Sequence, residues 1–343
     1  MDIVAAGMVC SVGLTAESAC AAIRARVAQF EELPYLDSRV KPIVGAVVPG
    51  LDEGLTRLER LSALLAAAVS DCVGSSPAVS WSKVPLLLGL AEPERPGSGA
   101  VAAESIRGEV EWQLGVAFHP QYSRSFPRGH VSGMVALDAA RVLLRSGHVP
   151  ACLVAGVDSF VNAHALRWLE ASGRLKTEEN SDGIIPGEAS AAVLVRPRGE
   201  PGDGTTASVM GIGFASEQAT VLSEDPLLGL GLTAAVRSAL AESGLALHQI
   251  DFRLSDVTGE QYGFREQALM LARLVRIRRE ALPIWHCTDS IGDTGAAASV
   301  CQLVIARQAF RRGYAPGPYA LCCASSVTGE RGASVLNKAE HRA

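Results

Sequence analysis

Aromatic side chains are scarce: Phe, Trp and Tyr together make up 5% of the 343 residues. The apolar mass, 48% of the chain, is therefore mainly aliphatic Ala, Val and Leu. That much apolar material suffices to bury a core and excludes a disordered or fibrous chain. No apolar run reaches the roughly 18 residues that a membrane span needs. No basic segment accompanies the opening Met1-Asp2-Ile3-Val4, so a secretory signal is not expected. A basic stripe is missing too, and with a net charge of −5 a nucleic-acid partner is not expected. The eight cysteines, at 10, 20, 72, 152, 287, 301, 322 and 323, form no C-x-x-C pair and no zinc-like spacing. Without either pattern they read as small buried hydrophobes of a protein in the reducing cytoplasm.

What is present is an alternation of short apolar runs with long amphipathic stretches. Residues 3–6 read as a strand, 15–30 as a helix with Thr15 as its N-cap, 56–73 as a leucine-striped helix, and 84–90 as a buried strand. This order continues to the C-terminus and implies an α/β protein with largely parallel, buried strands. An internal repeat sharpens the picture. Ala140-Arg141-Val142-Leu143-Leu144-Arg145-Ser146-Gly147, then Pro150 and a strand over 151–156, is matched in the second half of the chain. There Ala306-Arg307-Gln308-Ala309-Phe310-Arg311-Arg312-Gly313 is followed by Pro316 and a strand over 319–324. Each helix should end at its Gly in a left-handed turn, with the Pro preventing a restart. Both helices start among small residues (Val131-Ser132-Gly133 and Thr294-Gly295-Ala296-Ala297-Ala298), which suits central, closely packed helices. Two related halves are expected, 1–197 and 205–343, joined by a Pro/Gly-rich linker over 196–206.

Several landmarks resemble the β-ketoacyl-acyl-carrier-protein synthases of the thiolase superfamily. Ser181-Asp182-Gly183-Ile184-Ile185-Pro186-Gly187-Glu188-Ala189 is similar to their Asp-Gly-Phe-x-x-Gly-Glu-Gly-Ala signature. Arg128-Gly129-His130-Val131-Ser132-Gly133 resembles the nucleophile turn Thr-Ala-Cys-Ala-Ser-Gly. Asp256-Val257-Thr258-Gly259-Glu260 resembles His-Gly-Thr-Gly-Thr, and Gly292-Asp293-Thr294-Gly295-Ala296-Ala297 resembles Gly-His-x-x-Gly-Ala-Ala with one residue fewer. Gly7-Met8-Val9-Cys10-Ser11-Val12-Gly13 is similar to the family's opening turn, and residues 325–334 take the place of its C-terminal loop. The landmarks run in order from end to end, with the stretch between Leu169 and Asp182 shortened. The resemblance implies a thiolase-like fold, two pseudo-duplicated halves in an α-β-α-β-α layered sandwich. It also implies a dimer formed through an edge strand near the nucleophile helix, with 84–90 and 126–132 as candidate pairing segments.

The family's chemistry needs a thiolate to take the acyl chain and two imidazoles to hold the enolate formed on decarboxylation. The matching positions here are His130, Asp256 and Asp293. An ionised carboxylate donates no hydrogen bond and repels an enolate, so condensation by the usual route is not expected. Three readings of the trio stay open: a His–Asp general base for hydrolysis or acyl transfer, a one-imidazole, two-carboxylate metal site, or a hydrogen-bonded remnant that steadies the fold. Asp289 is expected to add a carboxylate beside Asp293, and Glu188 to be a buried carboxylate in need of a donor. Ser132 should point away from the pocket and cap its helix. Cys287 is read as a buried small side chain bordering the pocket, Cys322 and Cys323 as core, and His119, His148, His164 and His248 as surface residues.

The expected function is that of a β-ketoacyl-synthase-like protein that no longer condenses. It would act as a chain-length-factor-like partner subunit, a homodimer or a heterodimer with an active synthase, able to bind an acyl-carrier protein. The alternatives are a His130-dependent thioesterase or acyltransferase, and a scaffold in an unrelated assembly. No cofactor or metal is expected.

Overall fold

The computed structural model describes residues 1–76, 79–98, 102–199 and 207–339. The first half of the chain contains strands β1 (Asp2–Cys10), β2 (Glu31–Leu36), β3 (Pro42–Gly45), β4 (Leu86–Leu90), β5 (Arg124–Pro127), β6 (Cys152–Ser159) and β7 (Glu188–Arg196). Its helices are α1 (Ala16–Arg24), α2 (Arg57–Gly74), α3 (Ala103–Leu114), α4 (Ser132–Arg145) and α5 (Ala163–Ala171). The second half adds β8 (Ala207–Ser216), β9 (Phe252–Ser255), β10 (Ile284–Trp285), β11 (Tyr319–Ser325) and β12 (Glu330–Lys338). Its helices are α6 (Leu230–Ser243), α7 (Gln261–Leu274), α8 (Thr288–Ile291) and α9 (Ala298–Arg312).

The duplication seen in the repeat extends to the whole topology. The main sheet runs β10-β9-β11-β12-β8-β1-β7-β6-β4-β5. In the first half, β1 pairs antiparallel with β7, β7 antiparallel with β6, and β6, β4 and β5 are parallel neighbours. In the second half, β8, β12, β11, β9 and β10 repeat that order and those directions. The halves meet at a short antiparallel join, Asp2 to Ser208 and Ile3 to Ala207.

Layering follows from which faces are apolar. Helices α4 and α9 lie between the two halves of the sheet, in one core cluster with β1, β6 and β7 on one side and β9 and β11 on the other. Helix α2 covers the outer face of the first half-sheet, and α6 with α7 the outer face of the second. The result is the expected α-β-α-β-α sandwich. The small residues at the starts of α4 and α9 permit the close central packing: a Cβ added at Gly133 would collide with Ser299 Oγ and Val300.

Local signals explain most boundaries. Thr56 and Glu59 form a reciprocal capping box at the start of α2, as Thr15 and Ser18 do for α1. Gly147 and Gly313 take the left-handed conformation just past α4 and α9, with φ of 70° and 71°. Helix α1 is shorter than its sequence pattern suggests, closing at Arg24 instead of continuing to residue 30. Arg26 turns left-handed with φ of 56°, and Val27 is exposed, so the apolar stripe has nothing left to pack on. Of the expected linker, residues 200–206 lie outside the described residues. The candidate pairing segment 84–90 is corrected by the topology: β4 is interior, hydrogen-bonded to β6 on one side and β5 on the other, and has no free edge. The free edge on this side belongs to β5.

Candidate functional site

Two equivalent turns, one per half, build the site. Gly129–Val131 forms a 3-10 turn leading into α4, and Gly295–Ala297 forms its counterpart leading into α9. Both open on a left-handed glycine, with φ of 59° at Gly129 and 49° at Gly295. A side chain at either would collide with a buried carboxylate, Glu92 under Gly129 and Asp158 under Gly295. Glycine is therefore required twice, for backbone conformation and for space.

His130 projects from the first turn and is buried. Its Nε2 lies 2.7 Å from Asp293 Oδ1, and Nδ1 has no partner among the described residues. Asp293 precedes the second turn by two residues and accepts the Gly295 N–H at 2.9 Å, where the positive end of a helix favours an anion. Burial alone would push the His130 imidazole down. Asp293, with Asp256 and Glu92 beyond it, outweighs burial and raises the imidazole to about 9. Asp293 is driven up by burial and held below the usual carboxylate range by His130, Gly295 and Arg174. Both shifts favour the proton on His130 and the negative charge on Asp293.

Asp256 lines the same cleft at the end of β9 but bonds to neither partner of that pair. Its Oδ2 accepts the Ser325 N–H at 2.7 Å. Burial raises its carboxyl to about 6, against the pull of His130 and Ser325. Two further ion pairs wall the cleft. Arg174 donates from Nε and Nη2 to the two oxygens of Glu260 at 2.7 and 2.8 Å. Arg331, fully buried, donates to Glu266 at 2.6 Å and to the Tyr262 hydroxyl at 2.7 Å, and Ser325 Oγ donates to Glu266 at 2.8 Å. His130, Arg174 and Arg331 are thus each paired with a carboxylate, and of the four carboxylates lining the cleft Asp256 is the one left over. The free space is about 50 Å³. That suits a few waters, well short of the ~300 Å³ at which small-molecule pockets begin.

With Nε2 donating to the buried carboxylate, Nδ1 is the ring position left to act as base or nucleophile, and protonation there removes its lone pair. Among the described residues lining the cleft, neither arginine is left unpaired to hold an anionic thioester unit. All eight cysteines are buried and unbridged, and burial pushes Cys10, Cys72, Cys152, Cys287 and Cys323 to about 12. Among the described residues no group of three His, Cys, Asp or Glu is placed to hold a metal ion, and Asp256 does not complete a ligand set with the other two.

Several sequence expectations are revised by the coordinates. Asp289 does not acidify this cleft: it is exposed and pairs with His286 Nδ1 at 3.4 Å. Ser132 is not a cap. It is the first residue of α4, and its hydroxyl donates back to the Gly129 carbonyl, because the preceding 3-10 turn brings that oxygen within reach. Cys287 borders a different cavity. Glu188 has found its donor in Arg60, which makes a bidentate pair at 2.7 Å to each oxygen, with Ser159 and the Val48 N–H adding further bonds. Cys322 and Cys323 are core, and His148, His164 and His248 are exposed; His119 is half-buried, tilted against Tyr122, which stacks on His148. The residues missed in the sequence are Arg174, Glu260, Tyr262, Glu266, Arg331 and Glu92. Arg331 and its partner Glu266 are 65 residues apart, and no local spacing marks such a pair.

The sequence profile of the β-ketoacyl synthase N-terminal domain matches residues 131–200, which begins beside His130 and covers α4 through β7. No curated protein matches the chain in sequence. Among solved structures, the ishigamide ketosynthase/chain length factor is similar with a TM-score of 0.72 and 20% identity, over 99% of both chains. A ketosynthase in complex with its chain length factor from Xenorhabdus doucetiae gives 0.75 and 15%, over 98% of both chains. An oxazolomycin ketosynthase domain from Streptomyces albus gives 0.79 and 17%, over 99% of this chain and 75% of that one. The duplicated halves, the two glycine turns and these likenesses agree: the chain has the thiolase-like fold of the ketosynthases.

Proposed function

We propose that the chain is a ketosynthase-like subunit that does not condense acyl units and serves as the partner of an active synthase, in the manner of a chain length factor. One observation carries this reading: where the resemblance expects a thiolate at the head of α4 there is a histidine, held by Asp293 through Nε2, in a cleft whose arginines are already paired. A condensing site needs a nucleophile and free donors for a developing oxyanion, and this cleft supplies neither. The likeness to proteins described as ketosynthase and chain length factor assemblies supports a role in such a pair. The free edge of β5 offers backbone donors and acceptors to a partner strand. An acyl-carrier protein is the second expected partner. The thioesterase or acyltransferase reading requires neutral His130, and Asp293 beside it favours the protonated form.

The test is reconstitution. The purified chain, given acyl- and malonyl-carrier protein, is expected to release no β-ketoacyl product. Co-expressed with a synthase that keeps its Cys, His and His and is encoded beside it, the chain is expected to elute as a stable 1:1 complex whose synthase is active. Product formed by the chain alone, or failure to associate, overturns the proposal. Acyl-thioester hydrolysis lost in His130→Ala would select the hydrolytic reading instead.

A further inference from the structure

The two ends of the main sheet are unlike. At the end opposite β5 the last strand is β10, two residues long and hydrogen-bonded to β9 alone. The partner role proposed above uses the β5 end, so an inference drawn at the β10 end stands apart from it.

The chain reaches β10 from the last turn of α7 through residues 273–283. Arg273, Arg276, Arg278 and Arg279 fall within seven residues, and no other stretch of that length in the chain holds four arginines. Glu280 is the one carboxylate of the segment, in a chain whose net charge is −5. None of the four guanidinium groups has a carboxylate within salt-bridge distance among the described residues. Arg273 donates to the Leu269 carbonyl at 3.1 Å, Arg276 weakly to that of Val275 at 3.4 Å, and Arg279 to that of Ile250. By contrast Arg311 and Arg312 share Glu17, and Arg141 holds both Asp138 and Glu242. Among the arginines stand Val275 and Ile277, 43% and 53% exposed. The backbone adds donors, since no N–H of residues 276–282 has a protein acceptor among the described residues. The far end of the segment is fixed, because the Arg253 N–H donates to the Pro283 carbonyl at 2.8 Å.

From this patch we infer that residues 273–283 are a docking surface for an acidic, leucine-bearing segment of another protein. Charge complementarity selects the partner: a local excess of unpaired cations on an acidic chain attracts carboxylates that the rest of the surface repels. The partner's carboxylates would pair with Arg276 and Arg278, whose planar forks match a carboxylate. Its aliphatic side chains would cover Val275 and Ile277, and arginine clusters are recurrent readers of acidic motifs. Two other polyanions fit less well. Single-stranded nucleic acid stacks its bases on aromatic rings, and residues 273–284 contain none. A membrane surface takes a broad apolar helix face, and α7 spends its own on the second half-sheet, where Met270, Leu271 and Leu274 join the core.

Fluorescence anisotropy on the full chain tests this with three labelled peptides, built on repeats of Glu-Leu-Glu-Asp, Glu-Ser-Glu-Asp and Gln-Leu-Gln-Asn. The first is expected to bind saturably. The second should bind about tenfold more weakly, because the leucines are gone, and the third should show no saturation. Added salt to ~0.5 M should weaken the first about tenfold, as screening of exposed charges requires. Arg276→Gln with Arg278→Gln, both exposed, should also cut its affinity about tenfold. The matched pair Arg311→Gln with Arg312→Gln, on α9, should leave it unchanged. Oligothymidylate and phosphatidylglycerol vesicles are expected not to displace the peptide. Absence of saturable binding, equal affinity for the first and third peptides, insensitivity to the Arg276 and Arg278 pair, or displacement by either competitor overturns the assignment.

Discussion

Asp256 is the residue on which the cleft's charge balance turns. Of the carboxylates that line the cleft, Asp293, Glu260 and Glu266 each have a cation, whereas Asp256 has one backbone N–H and a weak contact from Ser255. Its carboxyl is raised to about 6 from an ordinary 3.8. A group raised in the folded state contributes stability fully below its unfolded value and loses it as pH climbs through the folded one. Well above pH 6 the ionised side chain is therefore a cost of about 3 kcal/mol. Asp256→Asn keeps an oxygen for the Ser325 N–H and removes the charge. The urea midpoint of this variant is expected to exceed that of the parent at pH 7.5, the gain to fall to about half at pH 5, and to vanish only below pH 3.8. An unchanged midpoint at pH 7.5 would mean that the carboxylate is better solvated than its burial implies. His130 behaves with the same sign. Raised to about 9, it stabilises fully below 6.5, and that contribution fades as pH passes 9, while Asp293, held low, loses its share only in acid. His130→Gln leaves a buried carboxylate without its cation and is expected to cost about 3–5 kcal/mol at pH 7. Compared at pH 7 and pH 10 by urea unfolding, the parent should lose stability and the glutamine variant should stay nearly flat.

Helices α4 and α9 show what the sequence can and cannot reveal about elements. Their ends were legible because glycine followed by proline is a local signal, and their centrality because small residues clustered at their starts. The resemblance also placed His130, Asp256 and Asp293 together, and all three line one cleft. Which of them touch was not legible, since the 2.7 Å contact of His130 with Asp293 joins turns 163 residues apart. The early end of α1 was hidden for a related reason: Val27 continues the apolar pattern, but no neighbouring element covers it. The pairing segment was misassigned because an interior parallel strand and an edge strand of this length carry the same apolar run, and only strand order tells them apart. Close helix packing gives this scale its own test. Gly133 abuts Ser299 and Val300, so Gly133→Val should force α4 and α9 apart at a cost of about 2–3 kcal/mol, read as a lower urea midpoint. Gly147→Ala, at a left-handed cap with open space around it, should cost less, near 1 kcal/mol, because only backbone conformation is at stake. If the two variants were equally destabilised, the central contact would not be the tight one.

At the scale of the molecule the two halves are topologically complete and physically incomplete. Each has its own five strands in the same order. Yet the largest core is shared: Met134, Leu137 and Val154 of the first half pack in one cluster with Phe252, Val300 and Phe310 of the second. The site is shared as well, since His130 comes from one half and Asp256 and Asp293 from the other, and Arg307 of α9 donates to the Val4 carbonyl of β1 at 2.8 Å. Cutting the chain at its internal boundary would leave one apolar face of each half-sheet, and one of α4 or α9, in water. A domain must bury its own core to fold alone. Fragments 1–197 and 205–343 are therefore expected, when expressed separately, to keep secondary structure, lose near-ultraviolet circular dichroism and melt without a cooperative transition. Co-expressed, they should associate and regain both, and the intact chain should unfold in a single transition by far- and near-ultraviolet signals alike. A cooperative melt of 1–197 alone, close to that of the whole protein, would show that the outer core beneath α2 suffices for one half. The shared layer would then be an interface between two independent domains, and not the core of one.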